Sequence, residues 1–372
     1  MSSVERPTEN DSEFVNSADS HVVEPLDLWQ ERLPAHLRDR APRRIEQDGR
    51  WLFLIEGMAP KKMGSPAADA GGDDSGASGG AGHFRGGGFD PDLRVKDLDE
   101  DGVWGEVLYP TIALFGFLIP DPELRWACAR AYNDWLAETF ASASKRFAGA
   151  AMIPVHEVDA AVKEIERVAG LGLRSVMLPM HPPPDRQYNL DVYDPIWAAA
   201  QDHRFPVSFH VGTGANPWTE KGPGGAVINY VEVGLGAQRN LTYLAASGVL
   251  ERFPELHLVM VECGAGWLAW VLERMDEAFE EHASWVRPKL AAKPSDYVRR
   301  QGHVTFGNDA SGVHNRDFTG VEPLLWASDY PHPEGTWPHT RETIGRIFAG
   351  VAPSERAAII GGTAASLYGF ER

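Results

Sequence analysis

The chain has 372 residues, 43% hydrophobic and 24% charged, with 38 Gly and 27 Pro. That length accommodates a decorated barrel of roughly 250 residues or two ordinary domains, and the absence of a Gly or Pro period and of running heptads excludes collagen-like and coiled-coil classes. With 35 Lys and Arg against 53 Asp and Glu, the net charge is −18, which argues against a general nucleic-acid surface.

Residues 1–12 are polar and predicted to be loose. VNSADSH is the first predicted strand. Arg38, Arg40, Arg43 and Arg44 follow as a basic cluster, read either as a solvated helix end or as a dock for a nucleotide phosphate. Residues 64–88 are rich in Gly, Ala, Ser and Asp and are predicted to form a flexible insertion, because they bury too little apolar surface to offset chain entropy.

Strand-like and helical runs then alternate. GVWGEVLYP precedes the helix PELRWACARAYNDWLAETFASA, AGAAMIPV precedes VDAAVKEIERVAGLG, and LRSVMLPM precedes VYDPIWAAAQDH. FPVSFHVG leads into one long helical stretch, VINYVEVGLGAQRNLTYLAASG, and LHLVMVECG into GWLAWVLERMDEAFEEH. HVTFGNDA and LLWASDYP come last, joined by a short link, before two closing helices, HTRETIGRIFAG and PSERAAIIGGTAASLYGF. Strand–helix alternation implies parallel pairing. Eight units close into a (β/α)8 TIM-like barrel of the α/β class, whereas five or six would leave an open sheet. The expected organisation is one domain over 13–370, with the 64–88 insertion and an extra C-terminal helix.

Active sites of such barrels lie at the C-terminal strand ends. The first strand ends in Asp19-Ser20-His21, with Glu24 placed to fold back at Pro25. Asp19 and His21 are two apart and share one face of an extended segment. The fifth strand ends around His210, the sixth on Glu262, and the eighth on Asp329 with His332 just beyond. Buried ionisable groups are costly unless paired or bound to metal. Imidazoles and carboxylates suit Fe, Mn, Zn and Ni. His181, after the fourth strand, and Asn308, after the seventh, are candidates to line the pocket or act in catalysis. No G-x-G-x-x-G follows a strand and no Walker loop is present, so a bound dinucleotide is not indicated.

DSHVVEP, SFHVG, VECGAGWLAWVLERMD and ASDYPHPEGTWP together resemble the amidohydrolase-related (amidohydrolase 2) branch of the metal-dependent hydrolases. The resemblance implies a (β/α)8 barrel with a metal site at its mouth, in hydrolases or nonoxidative decarboxylases. Three positions depart from the hydrolytic pattern. Asp19-x-His21 stands where many members have His-x-His, LRSVMLPM has no Lys, and Glu262 stands where many relatives use His. The D-S-H-x-x-E-P start is similar to a subgroup of TIM-barrel nonheme diiron monooxygenases, often acting on substrates linked to coenzyme A. Charge points the same way: Asp19, Glu24, Glu262 and Asp329 would balance two divalent ions, with His21, His210 and His332 as neutral donors.

The expected protein is therefore a nonheme diiron monooxygenase that hydroxylates an apolar small molecule, itself a candidate CoA thioester, with two Fe ions and an external electron donor. The alternative is a hydrolase or nonoxidative decarboxylase using Zn or Mn, and a third reading is a metal-stabilised binding protein. Nucleic-acid and membrane partners are not expected, and a homo-oligomer stays open. The N-terminus lacks the apolar core of a signal peptide. Two Cys cannot form a disulfide scaffold, so a cytoplasmic setting is expected.

Overall fold

The computed structural model describes residues 13–63 and 84–372. The predicted loose terminus, 1–12, and most of the expected insertion, 64–83, lie outside the described residues. The strands in chain order are β1 (Asn16–Val22), β2 (Arg43–Gln47), β3 (Arg50–Leu54), β4 (Lys61–Met63), β5 (Gly105–Pro110), β6 (Phe147–Met152), β7 (Ser175–His181), β8 (Val207–Gly214), β9 (Leu258–Val261), β10 (Gly302–Phe306) and β11 (Leu324–Trp326). Eight of them pair in parallel in the order β1-β5-β6-β7-β8-β9-β10-β11, a nearly closed ring with helices between the strands. This is the predicted TIM barrel. Its strands read as continuous apolar runs because parallel strands are covered on both faces, as in β5 and β6, where every residue is buried.

The intervening helices carry their own start signals. Asp90 accepts hydrogen bonds from the Asp92 and Leu93 backbones at the head of helix Pro91–Asp101, and Asp121 accepts from Leu124 at the head of Pro122–Leu136. Each has Pro at its first position, where no N–H is needed.

The ring closes between β11 and β1 through individual contacts rather than a ladder. His21 N donates to Tyr330 O (2.6 Å) and Asp329 N to Asp19 O (2.9 Å). Ser328 N donates to Ser17 Oγ (2.8 Å), and the Ser20 and Ser328 hydroxyls meet at 3.1 Å. These bonds hold the two ionisable strand ends, Asp19–His21 and Asp329–His332, against each other.

Several elements differ from the sequence expectation. β2, β3 and β4 form a separate antiparallel sheet, turned at Asp48-Gly49, where φ is +53° and +69°. An Asp-Gly pair is a hairpin signal, and it places Arg43 and Arg44 on a strand instead of a helix end. The long helix expected after β8 is two, Gly225–Glu232 and Gly234–Ala246. Two short helices, Ala310–His314 and Arg316–Thr319, fill the link between β10 and β11 and complete the alternation. The last closing helix is divided into Pro353–Ala357 and Thr363–Tyr368 by a wider turn at Ala358–Gly362. There Gly361 abuts Phe14 O and Asn16 N so closely that a Cβ would collide with both.

Residues 84–88, the end of the segment expected to be flexible, are packed. Val23 N donates to Gly88 O (2.8 Å), and a Cβ on Gly87 would strike Tyr330. Among the described residues, no helix is long and apolar enough to cross a membrane.

Candidate metal centre

The C-terminal ends of β1, β8, β9 and β11 bring most of the expected ionisable residues to one place. His21 pairs in register with Tyr109, and His210 with Val261, the last residue of β9. Both imidazoles are fully buried. Glu262 and Asp329, immediately beyond β9 and near the end of β11, adopt left-handed backbone with φ of +59° and +55°. For a non-glycine residue this costs free energy, and it re-aims a side chain at the point where a strand stops.

The tautomers follow from the hydrogen bonds. His21 Nδ1 lies 2.8 Å from Pro110 O and His210 Nδ1 lies 2.9 Å from Val211 O. A carbonyl can only accept, so each Nδ1 carries the proton and each Nε2 presents a lone pair. Those two Nε2 atoms face each other at 3.2 Å. Carboxylates crowd the same point: Asp19 Oδ1 is 3.7 Å from His21 Nε2 and 3.5 Å from His210 Nε2, and Asp329 Oδ1 is 3.4 Å from His21 Nε2. Asp19 Oδ1 and Asp329 Oδ1 are buried with no hydrogen-bond partner.

Lone pairs converging without donors repel unless a cation lies among them. Candidate ligand atoms of Asp19, His21 and His210 lie within 4.8 Å of one another, as do those of His21, Asp329 and His332. The donor set therefore fits a divalent ion of the kind that accepts nitrogen and oxygen ligands.

Burial pushes the His210 imidazole down, but the Asp19 and Glu262 carboxylates outweigh it and raise it to about 9. Burial, together with His332 and His210, holds His21 well below its ordinary value. Burial also raises both Glu262 and Asp329 above the usual carboxylate range, with neighbouring carboxylates adding to it.

His332 completes one side. Its ring stacks on His21 (centroids 4.0 Å, 25°), and its Nδ1 is 3.1 Å from Asp329 Oδ1. Glu262 Oε2 stands at the edge, 3.7 Å from His210 Nε2, with its side chain 35% exposed.

Three expected residues are not brought in. Both Glu24 oxygens accept backbone N–H groups, from Ile112 (2.9 Å) and Ala113 (2.8 Å), so Glu24 clamps the chain beyond β5 and leaves the ion-binding set. Its burial lifts its pKa to about 7. His181 lies edge-on to Trp218 (5.7 Å) and contributes no atom to either histidine–carboxylate grouping. Asn308 is exposed, accepts from Arg346 Nη2 (3.2 Å) and contributes no atom to either histidine–carboxylate grouping. The arginine cluster also disperses. Arg40 pairs with Glu56 and Asp121, Arg38 donates to Leu33 O, Arg43 donates to Asp39 O and Ala41 O, and the Arg44 guanidinium lies 5.8 Å from the Trp51 ring.

Two features were missed. Thr111 Oγ1 donates to Val22 O (2.8 Å) and lies 3.5 Å from His332 Nε2. Behind the centre, fully buried Arg94 donates to Glu106 Oε2 (2.6 Å) and His21 O (2.7 Å), while Glu106 Oε1 accepts from Ser20 Oγ (2.8 Å). This pair ties β1, β5 and helix Pro91–Asp101 together beneath Asp19 and His21. A Glu inside the apolar run GVWGEVLYP was the available signal.

A (β/α)8 barrel with a candidate metal site of histidines and aspartates at its strand ends is thus the class of protein that fold and site define. The family model described as Amidohydrolase matches residues 121–370, and the chain belongs to that family. The matched region begins beyond β1, so Asp19 and His21 lie outside it. The chain is 27% identical over 271 residues to gamma-resorcylate decarboxylase of Rhizobium sp. (strain MTP-10005), an alignment that covers 64% of this chain and 76% of the relative.

Among solved structures, an amidohydrolase from Mycobacterium avium subsp. paratuberculosis superposes with a TM-score of 0.77 at 19% identity, covering 96% of this chain and 99% of that one. 5-Carboxyvanillate decarboxylase from Sphingomonas paucimobilis gives 0.67 at 22% identity, covering 97% and 100%. A dihydroxybenzoic acid decarboxylase from Polaromonas sp. JS666, with bound manganese and the inhibitor 2-nitroresorcinol, gives 0.64 at 20% identity, covering 97% and 98%.

These findings correct the expectation of an iron-dependent monooxygenase, an oxidoreductase. The relatives with a named reaction are decarboxylases, and the metal named is manganese. The physical ground for two irons weakens too, because with Glu24 tied to backbone N–H groups only three carboxylates remain to be balanced.

Proposed function

We propose that this chain is a metal-dependent nonoxidative decarboxylase of a small aromatic acid. The observation that carries the reading is the facing pair of Nε2 lone pairs, ringed by Asp19 and Asp329 oxygens that lack donors. It supports a divalent metal, manganese or zinc, held by Asp19, His21, His210 and Asp329. When bound, that metal supplies the positive charge that fixes and polarises an acidic substrate.

The chain's own groups do the rest. Pro110 O and Val211 O keep the His21 and His210 rings in the ligating tautomer. Phe84, 5.6 Å from the His332 ring, offers an aromatic wall. In the reaction the bond between ring carbon and carboxylate breaks, CO2 leaves, and the electron pair remaining on carbon takes up a proton. Glu262 Oε2, at the open edge of the centre, delivers that proton. No oxidant, electron donor or CoA group enters the balance.

The test is anaerobic incubation of manganese-loaded protein with 2,6-dihydroxybenzoate, 5-carboxyvanillate and related acids in D2O. The expected result is CO2 release with one deuterium at the vacated ring position. No CO2 from any aromatic acid, or a product that requires O2, overturns the proposal.

A further inference from the structure

The candidate metal centre straddles the seam of the barrel. β1 brings Asp19 and His21, the end of β11 brings Asp329 and His332, and individual bonds rather than a ladder join the two strands. A ligating atom has to hold its distance from an ion to about 0.2 Å. Ligands carried by two unladdered strands therefore depend on whatever fixes the seam from behind.

Arg94, fully buried on helix Pro91–Asp101, is in that position. Its guanidinium reaches four separate parts of the chain. Nε donates to Glu106 Oε2 on β5 (2.6 Å), and Nη1 donates to His21 O on β1 (2.7 Å) and to Gly87 O (3.2 Å). Nη2 reaches Tyr330 O at 3.5 Å, the same carbonyl that accepts from His21 N and the one next in the chain to Asp329. Three of the four acceptors are backbone carbonyls, so the fork fixes main chain on both sides of the seam. Ser20 alternates with Asp19 and His21 and faces the opposite way. Its hydroxyl donates to Glu106 Oε1 (2.8 Å) and meets Ser328 Oγ at 3.1 Å.

Stability alone does not call for such a pair, because apolar residues of similar volume often serve a core equally well. What an apolar side chain lacks is a rigid planar fork of donors. We propose that Arg94 is a positioning residue for the metal centre. Its fork sets the spacing between Asp19 and His21 on one strand and Asp329 on the other, and Glu106 supplies the counter-charge that lets the guanidinium be buried. The inference rests on the metal-binding part of the reading above and is independent of the reaction.

The test is calorimetric titration of chelator-treated protein with manganese, with urea unfolding of the same samples. Arg94→Lys keeps the charge beside Glu106 and loses the fork. It is expected to weaken manganese binding by about tenfold or more, as loss of a group that orients a ligand costs about 10–100-fold. Arg94→Met with Glu106→Gln leaves no charge buried alone, so its urea midpoint is expected to recover relative to Arg94→Met, while manganese binding stays about tenfold weaker or more. Glu164 is another fully buried carboxylate, paired with Arg130 and Arg167 and absent from both histidine–carboxylate groupings. Glu164→Gln is expected to lower the urea midpoint with manganese binding within about twofold.

Unchanged manganese affinity in Arg94→Lys, or affinity that recovers with the urea midpoint in the double variant, overturns the proposal. So does an equal loss of affinity in Glu164→Gln, since affinity would then merely follow stability. No manganese binding by the unaltered protein removes the metal centre and this role together. Manganese bound by the unaltered protein and weakened in Arg94→Lys, with no CO2 released from any aromatic acid, supports the positioning role and removes the decarboxylase reading alone.

Discussion

At the barrel mouth, His21, His210 and His332 gather around Asp19 and Asp329; at the base, where β9 and β10 begin, half-buried His257 and buried His303 form a second pair. The two groups look alike in composition and differ in hydrogen-bond balance. His303 Nδ1 lies 2.9 Å from Glu322 O and so must be the donor there, which leaves its Nε2 to accept from His257 Nδ1 at 3.0 Å. Every facing atom at the base has a complementary partner. At the mouth, two Nε2 acceptors face each other and two carboxylate oxygens have no donor. A cluster of histidines is therefore weak evidence for a metal centre, and the unmatched lone pairs are what separate the one end from the other.

The sharpest way to break this comparison is to remove one histidine from each end. His210→Ala is expected to lower metal content and decarboxylation by about 100-fold or more, since loss of an outer partner of a ligand already costs about 10–100-fold. His303→Leu is expected to leave metal content unchanged and cost about 1–3 kcal/mol of stability, because His257 Nδ1 and Glu322 O each lose a partner. Elemental analysis and urea unfolding of both variants give the answer. Full metal occupancy in His210→Ala, or metal loss in His303→Leu, would erase the distinction between the two ends.

A smaller effect is expected from pH. Burial, with His257 beside it, holds the His303 imidazole down at about 3, against 6.5 for the free side chain. The unfolded chain thus binds this proton first. The stability contributed by neutral His303 is fully present above about pH 6.5 and declines as pH falls toward about 3, by at most about 1.4 kcal/mol per pH unit. Unfolding midpoints at pH 7 and 5 are expected to converge in His303→Leu relative to the unaltered protein. An unchanged difference would mean that His303 is not held neutral.

Much of this architecture is legible in the sequence because parallel barrel strands are buried on both faces. Runs such as LHLVMVECG announce a strand and, by stopping on Glu262, a functional end. Direction is not legible. Glu24 stands at a suitable distance from His21 in the chain, yet the Ile112 and Ala113 N–H groups, nearly ninety residues away, claim both its oxygens. The Arg94–Glu106 pair depends in the same way on a helix docking against a neighbouring strand. The Asp48-Gly49 pair is a hairpin signal that the sequence carries between its arginine-rich runs. The reaction is not legible for a related reason: the D-S-H-x-x-E-P resemblance and a charge count that includes Glu24 both point toward a monooxygenase.

The smallest effect is expected at Asn308, where position alone suggested a role in catalysis. It follows β10 directly, at the end of the barrel that carries the chemistry. Its neighbour Asp309 accepts from the Ala265 and Gly266 backbones (2.8 Å each) and from Gly312 N (3.0 Å), locking the β10 loop to the β9 loop beside Glu262. Asn308 faces the other way, exposed, with its carbonyl accepting from Arg346. An exposed hydrogen bond of this kind trades almost evenly with water. Asn308→Ala is therefore expected to leave decarboxylation within about twofold and stability within about 0.5 kcal/mol. Kinetics and urea unfolding check both. A tenfold loss of turnover with unchanged stability would return Asn308 to the site and show that the loop after β10 turns inward when substrate binds.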